Sequence, residues 1–277
     1  MDNKNLKESI TAYLFILPGL IFIGAWLFYP MLRAFQLSFY DWTLLPNIPN
    51  EFIGFENYRN IVRDNLFWVA LKNTGLYVLV TVAGQLILGL FLALVLDQIT
   101  AGRVLFRTLL YIPVVTSIVV ASLLFRYLFN SSDAGLINYL ITDIFHVAAE
   151  PIPWLREART AFVPIYFLGI WKGVGWAMVI FLAALQAIPE EYLEAAAIDG
   201  ASHTQGILRI VLPILRPTII LVMILLTIGA FKVYVEVELI TGGNPLHRTE
   251  VLLTYIYYQG FGRLNFGYAN AISFMLA

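Results

Sequence analysis

Cysteine is absent from the 277 residues, which excludes disulfide frameworks, thiolate metal sites and cysteine nucleophiles together and leaves the redox compartment open. Charge is scarce: Asp, Glu, Lys and Arg make up 13% of the chain, about half their share in a soluble domain. The 18 acidic and 17 basic residues nearly cancel, so no global electrostatic argument points to nucleic acid or to an acidic partner. No G-x-x-x-x-G-K-[ST] occurs, so the chain has no loop to cradle nucleotide phosphates. His146, His203 and His247 are scattered, without H-E-x-x-H or a clustering of carboxylates, and no metal site is expected. No carboxylate sits at the centre of a long apolar run, where a proton-coupled carrier would place one. Low-complexity tracts, soluble domains and internal repeats are likewise missing.

What is present is apolar. Hydrophobic residues make up 60% of the chain and the mean hydropathy is +0.79, more than a soluble fold can hide. A helix crosses a hydrocarbon core of about 30 Å with roughly 20 apolar residues, its backbone groups satisfied within the segment. Charge-free windows of 24, 24 and 18 residues lie between Glu8 and Arg33, between Lys72 and Asp97, and between Arg107 and Arg126. Two further runs carry one cation each, Lys172 or Lys232. The expected architecture is an all-α membrane protein, a single transmembrane domain over residues 1–277. Its expected spans are about 11–32, 74–96, 106–126, 161–187, 214–235 and an incomplete sixth, 264–277, cut short at the end of the chain. Lys4 and Lys7 ahead of the first run resemble the charged region of a signal peptide, but the run is too long and no small-residue cleavage site follows it cleanly. If Lys4 and Lys7 hold the N-terminus inside, the loops 97–107 and 190–216 are cytoplasmic. The outer loops contain the aromatic and turn-forming residues of small folded caps, such as Gly54 to Tyr58 and Pro151 to Leu155.

The most informative stretch is Glu194-Ala195-Ala196-Ala197-Ile198-Asp199-Gly200, followed after nine residues by Ile210-Val211-Leu212-Pro213. Pro189 suits a first helical position, and Glu190 and Glu191 suit a helix N-terminus. The alanines favour helix, Gly200 supplies a left-handed end, and Ser202 with Gln205 has the form of a capping box. The expected product is a compact helix-turn-helix between two spans, loop 189–213, with small alanine faces and with Glu194 and Asp199 free to meet basic partners.

This segment resembles the E-A-A-x3-G-x9-I-x-L-P loop of ABC importer permeases and matches every fixed position of that pattern. In that family the loop is cytoplasmic and contains the coupling helix that docks on the ATPase. The resemblance implies that role for Glu194, Ala195, Ala196, Asp199, Gly200, Ile210, Leu212 and Pro213, with a cytoplasmic N-terminus. It extends over nearly the whole chain and is closest to carbohydrate-type permeases, those similar to the maltose, lactose and glycerol-phosphate systems. Phe52 to Tyr58 resembles their first external loop, Leu71 to Thr74 the start of their next helix, and Thr241-Gly242-Gly243-Asn244-Pro245 their T-x-G-G-P turn, with Asn244 where glycine is expected.

The resemblance implies a multi-pass permease of a bacterial cytoplasmic (inner) membrane, not itself an enzyme, importing a sugar or sugar-like solute by alternating access. It implies a second, homologous permease in a heterodimer, two ABC ATPase subunits that carry ATP and Mg, and an extracytoplasmic solute-binding protein. The chain itself would need no cofactor, and no nucleic acid. The rival reading is a secondary transporter of a small polar solute, which would tend to show a repeated half. A membrane-embedded enzyme would need a paired acid/base or a nucleophile within the bilayer, and none is found.

Sugar sites join aromatic faces to a few placed polar groups. Trp171, Lys172, Gly173 and Trp176 in the fourth span, and Gly229, Ala230, Lys232, Val233 and Tyr234 in the fifth, are the candidate solute pathway. By the resemblance, Gly173, Trp176, Gly229, Ala230 and Val233 fall on contacting positions. A cation inside a span faces a cavity, finds a partner or snorkels. For Lys232 an intrahelical pair with Glu236 is the alternative.

Overall fold

The computed structural model describes residues 3–45, 50–99, 101–132 and 135–277, with side chains from residue 11 onward, so the expected anchors Lys4 and Lys7 lie outside the described side chains. In chain order the elements are α1 (Asn3–Ile23), α2 (Tyr29–Leu37), β1 (Tyr40–Asp41), β2 (Glu51–Phe52), α3 (Glu56–Arg63), α4 (Asn65–Gln98), α5 (Arg103–Val115), α6 (Ile118–Leu128), α7 (Leu136–Tyr139), α8 (Ala158–Gln186), α9 (Glu191–Ile198), α10 (His203–Gly206), α11 (Leu212–Phe231), α12 (Val235–Ile240), α13 (Leu252–Tyr257) and α14 (Phe266–Leu276). They fall into two units, one of residues 1–67 and 255–277 and one of residues 68–254.

Among the described residues four helices are long and apolar enough to cross a membrane: Thr11–Leu37, Asn65–Gln98, Ala158–Gln186 and His203–Phe231. Their apolar faces are exposed in the manner of lipid-facing helices; Phe15, for example, is 83% exposed. The fifth expected span, 214–235, ends early at Phe231, with Lys232 at the helix C-cap, and Phe266–Leu276 is a shorter apolar helix within the expected sixth. The expected unbroken span 106–126 is instead a bent pair, α5 and α6, turning by 91° at Thr116 and Ser117. Pro113 withholds a backbone N–H in the last turn of α5, and both hinge residues are extended.

Two proline positions have a common solution. The π turns Gly24–Phe28 and Ile207–Val211 close with Tyr29 N–H donating to Gly24 O and Leu212 N–H to Ile207 O. Each shifts the ladder by one residue just before Pro30 or Pro213, so the missing proline donor breaks no bond and the helix runs on.

In the first unit the expected folded cap is present. Buried Asn57 donates to Ser38 O at 2.9 Å and Tyr40 O at 3.0 Å, anchoring α3 to the β1–β2 hairpin. Helix α14 packs on α2 and α3, and Phe266 and Gly267 N–H both donate to Trp42 O. Asp64, before α4, accepts from the hydroxyls of Tyr255 and Tyr268 and from Leu66 N–H. Burial raises its pKa, but these hydrogen bonds and one from Phe67 N–H outweigh it and hold the carboxyl below its ordinary value of 3.8. Stability from a depressed carboxyl is present above the ordinary value and is lost as pH falls through the lower, folded one. Thermal melts in detergent should therefore lose less on going from pH 5 to pH 3 in Asp64→Asn than in the native chain; equal losses would remove Asp64 from the account.

In the second unit, α8 is the hub. Ala177, Met178, Phe181 and Leu182 pack with Ala93 and Leu96 of α4 and with Leu215 and Val222 of α11. A second cluster joins Ile165 and Leu168 of α8 to Val237 and Ile240 of α12. Before α8, buried Asn138 donates to the carbonyls of Asn130, Ser132 and Ile152 and accepts from Ile152 N–H and the Trp154 indole, which is the expected cap around Pro151 to Leu155. Residues distant in sequence meet at the T-x-G-G-P-like turn. Asn73 donates to the carbonyls of Arg248 and Glu250, both at 2.8 Å, and Leu252 N–H donates to Thr74 Oγ1. Gly242 (φ +57°) and Gly243 (φ +78°) are left-handed, whereas Asn244 is not among the left-handed residues, so a side chain is tolerated where glycine was expected.

Candidate functional site: an exposed helix and a cavity in the second unit

The loop 189–213 folds largely as its residues dictate. Helix α9 begins after Glu190, with Pro189 one position ahead of the cap rather than inside the helix. It ends in a paired closure: Gly200 N–H donates to Ala197 O and Ala201 N–H to Ala196 O, with Gly200 at φ +81°. Ser202 and Gln205 form the reciprocal capping box. The second helix departs from the expectation of a short separate one. The π turn carries α10 directly into α11, so His203–Phe231 is one rod of 29 residues.

Glu194, Ala195, Asp199 and Gly200 are exposed, and Ala196 is half-buried. Ile198 is 86% exposed, an apolar side chain with no cover in this chain. Ile210 and Leu212 are half-buried on the rod beside buried Val211, and Pro213 is exposed. Beside α9 lies a cleft of about 530 Å³ into which Glu194, Glu190 and His203 face together with Asp97, Gln98 and Arg103. Arg103 pairs with Asp97 at 3.4 Å and also donates to the Leu96 and Asp97 carbonyls, and Gln98 lies 3.2 Å from His203. Asp97, Gln98 and Arg103 belong to the loop 97–107 but are not among the expected site residues. Its charges flank a charge-free run and pass for an ordinary solvated loop.

The second region is a cavity of about 520 Å³. Of the nine candidate pathway residues, Lys172, Gly173, Trp176, Gly229 and Ala230 line it. The other four lie elsewhere. Trp171 rests 5.8 Å from Phe125, Val233 is buried in the second cluster, Lys232 is exposed at the α11 C-cap, and Tyr234 precedes α12. Because α11 stops at Phe231, the expected helical spacing of Lys232 and Glu236 does not exist, and Glu236 instead lines the cavity.

Tyr77, Thr81 and Gln85 of α4 also line the cavity and were missed. Their signal was legible: three hydrogen-bonding side chains at steps of four put polar groups on one face of an apolar helix. Gln85 donates to Gly169 O at 2.9 Å, and a Cβ at Gly173 would strike the Gln85 amide, so Gly173 is glycine to admit that side chain between α4 and α8.

Lys172 explains the bend. Its ammonium donates to the carbonyls of Pro113, Val114 and Thr116 at 3.2, 3.2 and 2.6 Å. These carbonyls lie at the negative end of the α5 dipole; Pro113 O also accepts from the Thr116 N–H and hydroxyl, whereas Val114 O and Thr116 O depend on the lysine. Broken backbone is tolerated at membrane depth where protein groups or a cavity satisfy it, and here a lysine does so. Nearby, a Cβ at Gly175 would collide with Leu110 O, so α5 lies directly on the α8 backbone.

Comparison with known proteins agrees with this architecture. The family described as "Binding-protein-dependent transport system inner membrane component" matches residues 85–277. The trehalose/maltose transport system permease protein MalF of Thermococcus litoralis is 33% identical over 99% of this chain and 93% of its own. The sulfoquinovosyl glycerol transport system permease protein SmoG of Agrobacterium fabrum is 33% identical over 98% and 86%. A solved bacterial ABC transporter involved in the import of the acidic polysaccharide alginate superposes with a TM-score of 0.82 and 25% identity, covering 98% of this chain and 91% of that one. On the family match over residues 85–277 and on these relatives, the chain belongs to the binding-protein-dependent transport system inner membrane components, the multi-pass permeases of ABC transporters.

Proposed function

We propose that the chain imports a sugar or sugar-like solute by alternating access, driven by ATP hydrolysed on separate subunits. The observation that carries this reading is α9: a capped, exposed helix with an uncovered isoleucine, joined by one closed turn to a 29-residue rod that contributes Leu225, Leu226, Gly229 and Ala230 to the cavity. A push on α9 reaches the cavity through hydrogen-bonded helix rather than loop, which suits coupling at a distance. In this reading Glu194 to Gly200 seat in a groove of the ATPase with their small alanines, and Ile210, Leu212 and Pro213 set the exit of the rod. The loop 189–213 and the N-terminus are then cytoplasmic.

The remaining parts follow from the family. A binding protein delivers solute to the outer caps; ATP closes two ATPase subunits; the permeases open outward, take the solute and return on hydrolysis. A second, different permease forms the other wall, and the chain itself holds no cofactor and performs no chemistry. The sugar class is supported by relatives named for trehalose/maltose and for sulfoquinovosyl glycerol transport. Reconstitution in liposomes with the ATPase, partner permease and binding protein of its transport system tests the reading: sugar should accumulate only with internal ATP. Accumulation by this chain alone under an ion gradient would establish the secondary transporter instead.

A further inference from the structure

Of the residues that line the cavity of the second unit, Lys172 and Glu236 carry charge. They are not equivalent to a solute. An ammonium has three N–H donors and no acceptor, and Lys172 makes three hydrogen bonds, all to carbonyls at the end of α5. The other donors of the lining are also partly engaged: Thr81 Oγ1 donates to Tyr77 O at 2.6 Å and Gln85 Nε2 to Gly169 O. What remains is neutral, from Tyr77, Trp176 and the second amide N–H of Gln85. Glu236 differs. It stands half-buried after the break in α11 and forms no ion pair with Lys172 or Lys232 among the described residues, although the Lys172 charge acts on it; the N–H groups of Glu236 and Tyr234 donate to it. A carboxylate offers about four acceptor sites, so part of its capacity faces the cavity.

Resting on the sugar-import reading, we propose that this cavity selects its solute by charge: Glu236 accepts hydrogen bonds from solute hydroxyl or ammonium groups, and neutral or cationic polyhydroxylated solutes pass while anionic ones are refused. An acceptor with unused lone pairs matches a donor-rich solute, and paired hydroxyls of a pyranose present donors at the spacing of a carboxylate. An anionic group entering here meets no unengaged cationic donor, since the Lys172 ammonium is turned to the α5 carbonyls and the negative end of that helix dipole, and it meets the Glu236 carboxylate in a low-dielectric wall. Trp176, in the same wall, supplies an apolar face for a sugar ring. The solute class thus differs from the acidic polysaccharide imported by the solved relative.

The test is uptake by the assembled transporter, with its binding protein, of labelled disaccharides of three kinds: maltose, trehalose and cellobiose; the glucosamine disaccharide; and the diuronate of alginate. Uptake by the native chain is expected from the neutral or cationic members and not from the diuronate. Glu236→Gln should lower uptake of the carried sugar about tenfold through a higher half-saturation concentration, and Glu236→Asp, which keeps the charge, should recover most of it. Diuronate uptake within threefold of the neutral sugars by the native chain would overturn the proposal, as would an unchanged half-saturation concentration in an assembled Glu236→Gln transporter, or a Glu236→Asp variant no better than Glu236→Gln. Uptake of no sugar of any charge would overturn the underlying sugar reading as well, which separates the two failures.

Discussion

Glu194→Lys is expected to lower ATP-driven uptake about 100-fold while leaving the thermal stability of the chain within about 0.5 kcal/mol of native. Glu194 is exposed, at the edge of the α9 cleft, and makes no ion pair within the chain among the described residues, so its replacement leaves no internal group unpartnered. On the proposed reading its interaction energy lies with the ATPase. Reversing one charge of a docked pair costs on the order of 2–5 kcal/mol, and about 2.8 kcal/mol is a hundredfold in an equilibrium constant. Co-purification with the ATPase should fall in step with uptake. Full uptake by an expressed Glu194→Lys chain would remove Glu194 from the contact.

Lys172→Met is expected to do the reverse, acting on the fold first. The substitution keeps an unbranched side chain of similar length and removes three hydrogen bonds at the 91° bend, two of them to carbonyls, those of Val114 and Thr116, for which no other donor is seen among the described residues, while Pro113 O keeps the Thr116 N–H and hydroxyl. Bonds to a charged group are worth roughly 1.5–3 kcal/mol each, partial exposure argues for the low end, and Pro113 O keeps other donors, so the two orphaned carbonyls give an expected loss of about 3 kcal/mol. In a chain of this size that lowers the melting temperature by roughly 6–10 °C. Lys172→Arg, which returns a cation to the end of α5, should recover part of the loss. A melting temperature unchanged in Lys172→Met would show that water or lipid headgroups already satisfy the bend.

These two residues mark the limit of what the sequence revealed. Local rules carried the two ends within the loop 189–213: Gly200 closes α9 and Ser202–Gln205 caps the next helix, each within a few residues of its partner. Two of the three charge-free windows fall in long helices, Thr11–Leu37 and Asn65–Gln98, because an apolar run is a property of one segment; the third falls on the bent pair. The bend was different. Pro113 was visible, but prolines inside membrane helices are commonly tolerated, and the group that makes a full break affordable, Lys172, lies on another helix. Lys172 therefore reads as a choice between a pathway charge and a structural one; its ammonium holds the α5 terminus, and the residue also lines the cavity. Lys232 and Glu236 were paired on the assumption that α11 continued; the helix ends at Phe231, and the two residues part. The polar face Tyr77, Thr81 and Gln85 was legible by spacing alone, and a search for charges rather than for hydrogen-bonding groups passed over it.

The central claim, that α9 is the contact through which ATP moves this permease, is tested most directly by cross-linking. The absence of cysteine makes a single introduced thiol unique in the chain. In the assembled transporter, Ala197→Cys on exposed α9 should cross-link to the ATPase subunit with a short bifunctional reagent, in a yield that changes between the ATP-bound and nucleotide-free states, whereas Val147→Cys, also exposed, should not. A thiol at position 197 that stays freely reactive to maleimide in the intact complex, with no cross-link to the ATPase in either state, would contradict the account.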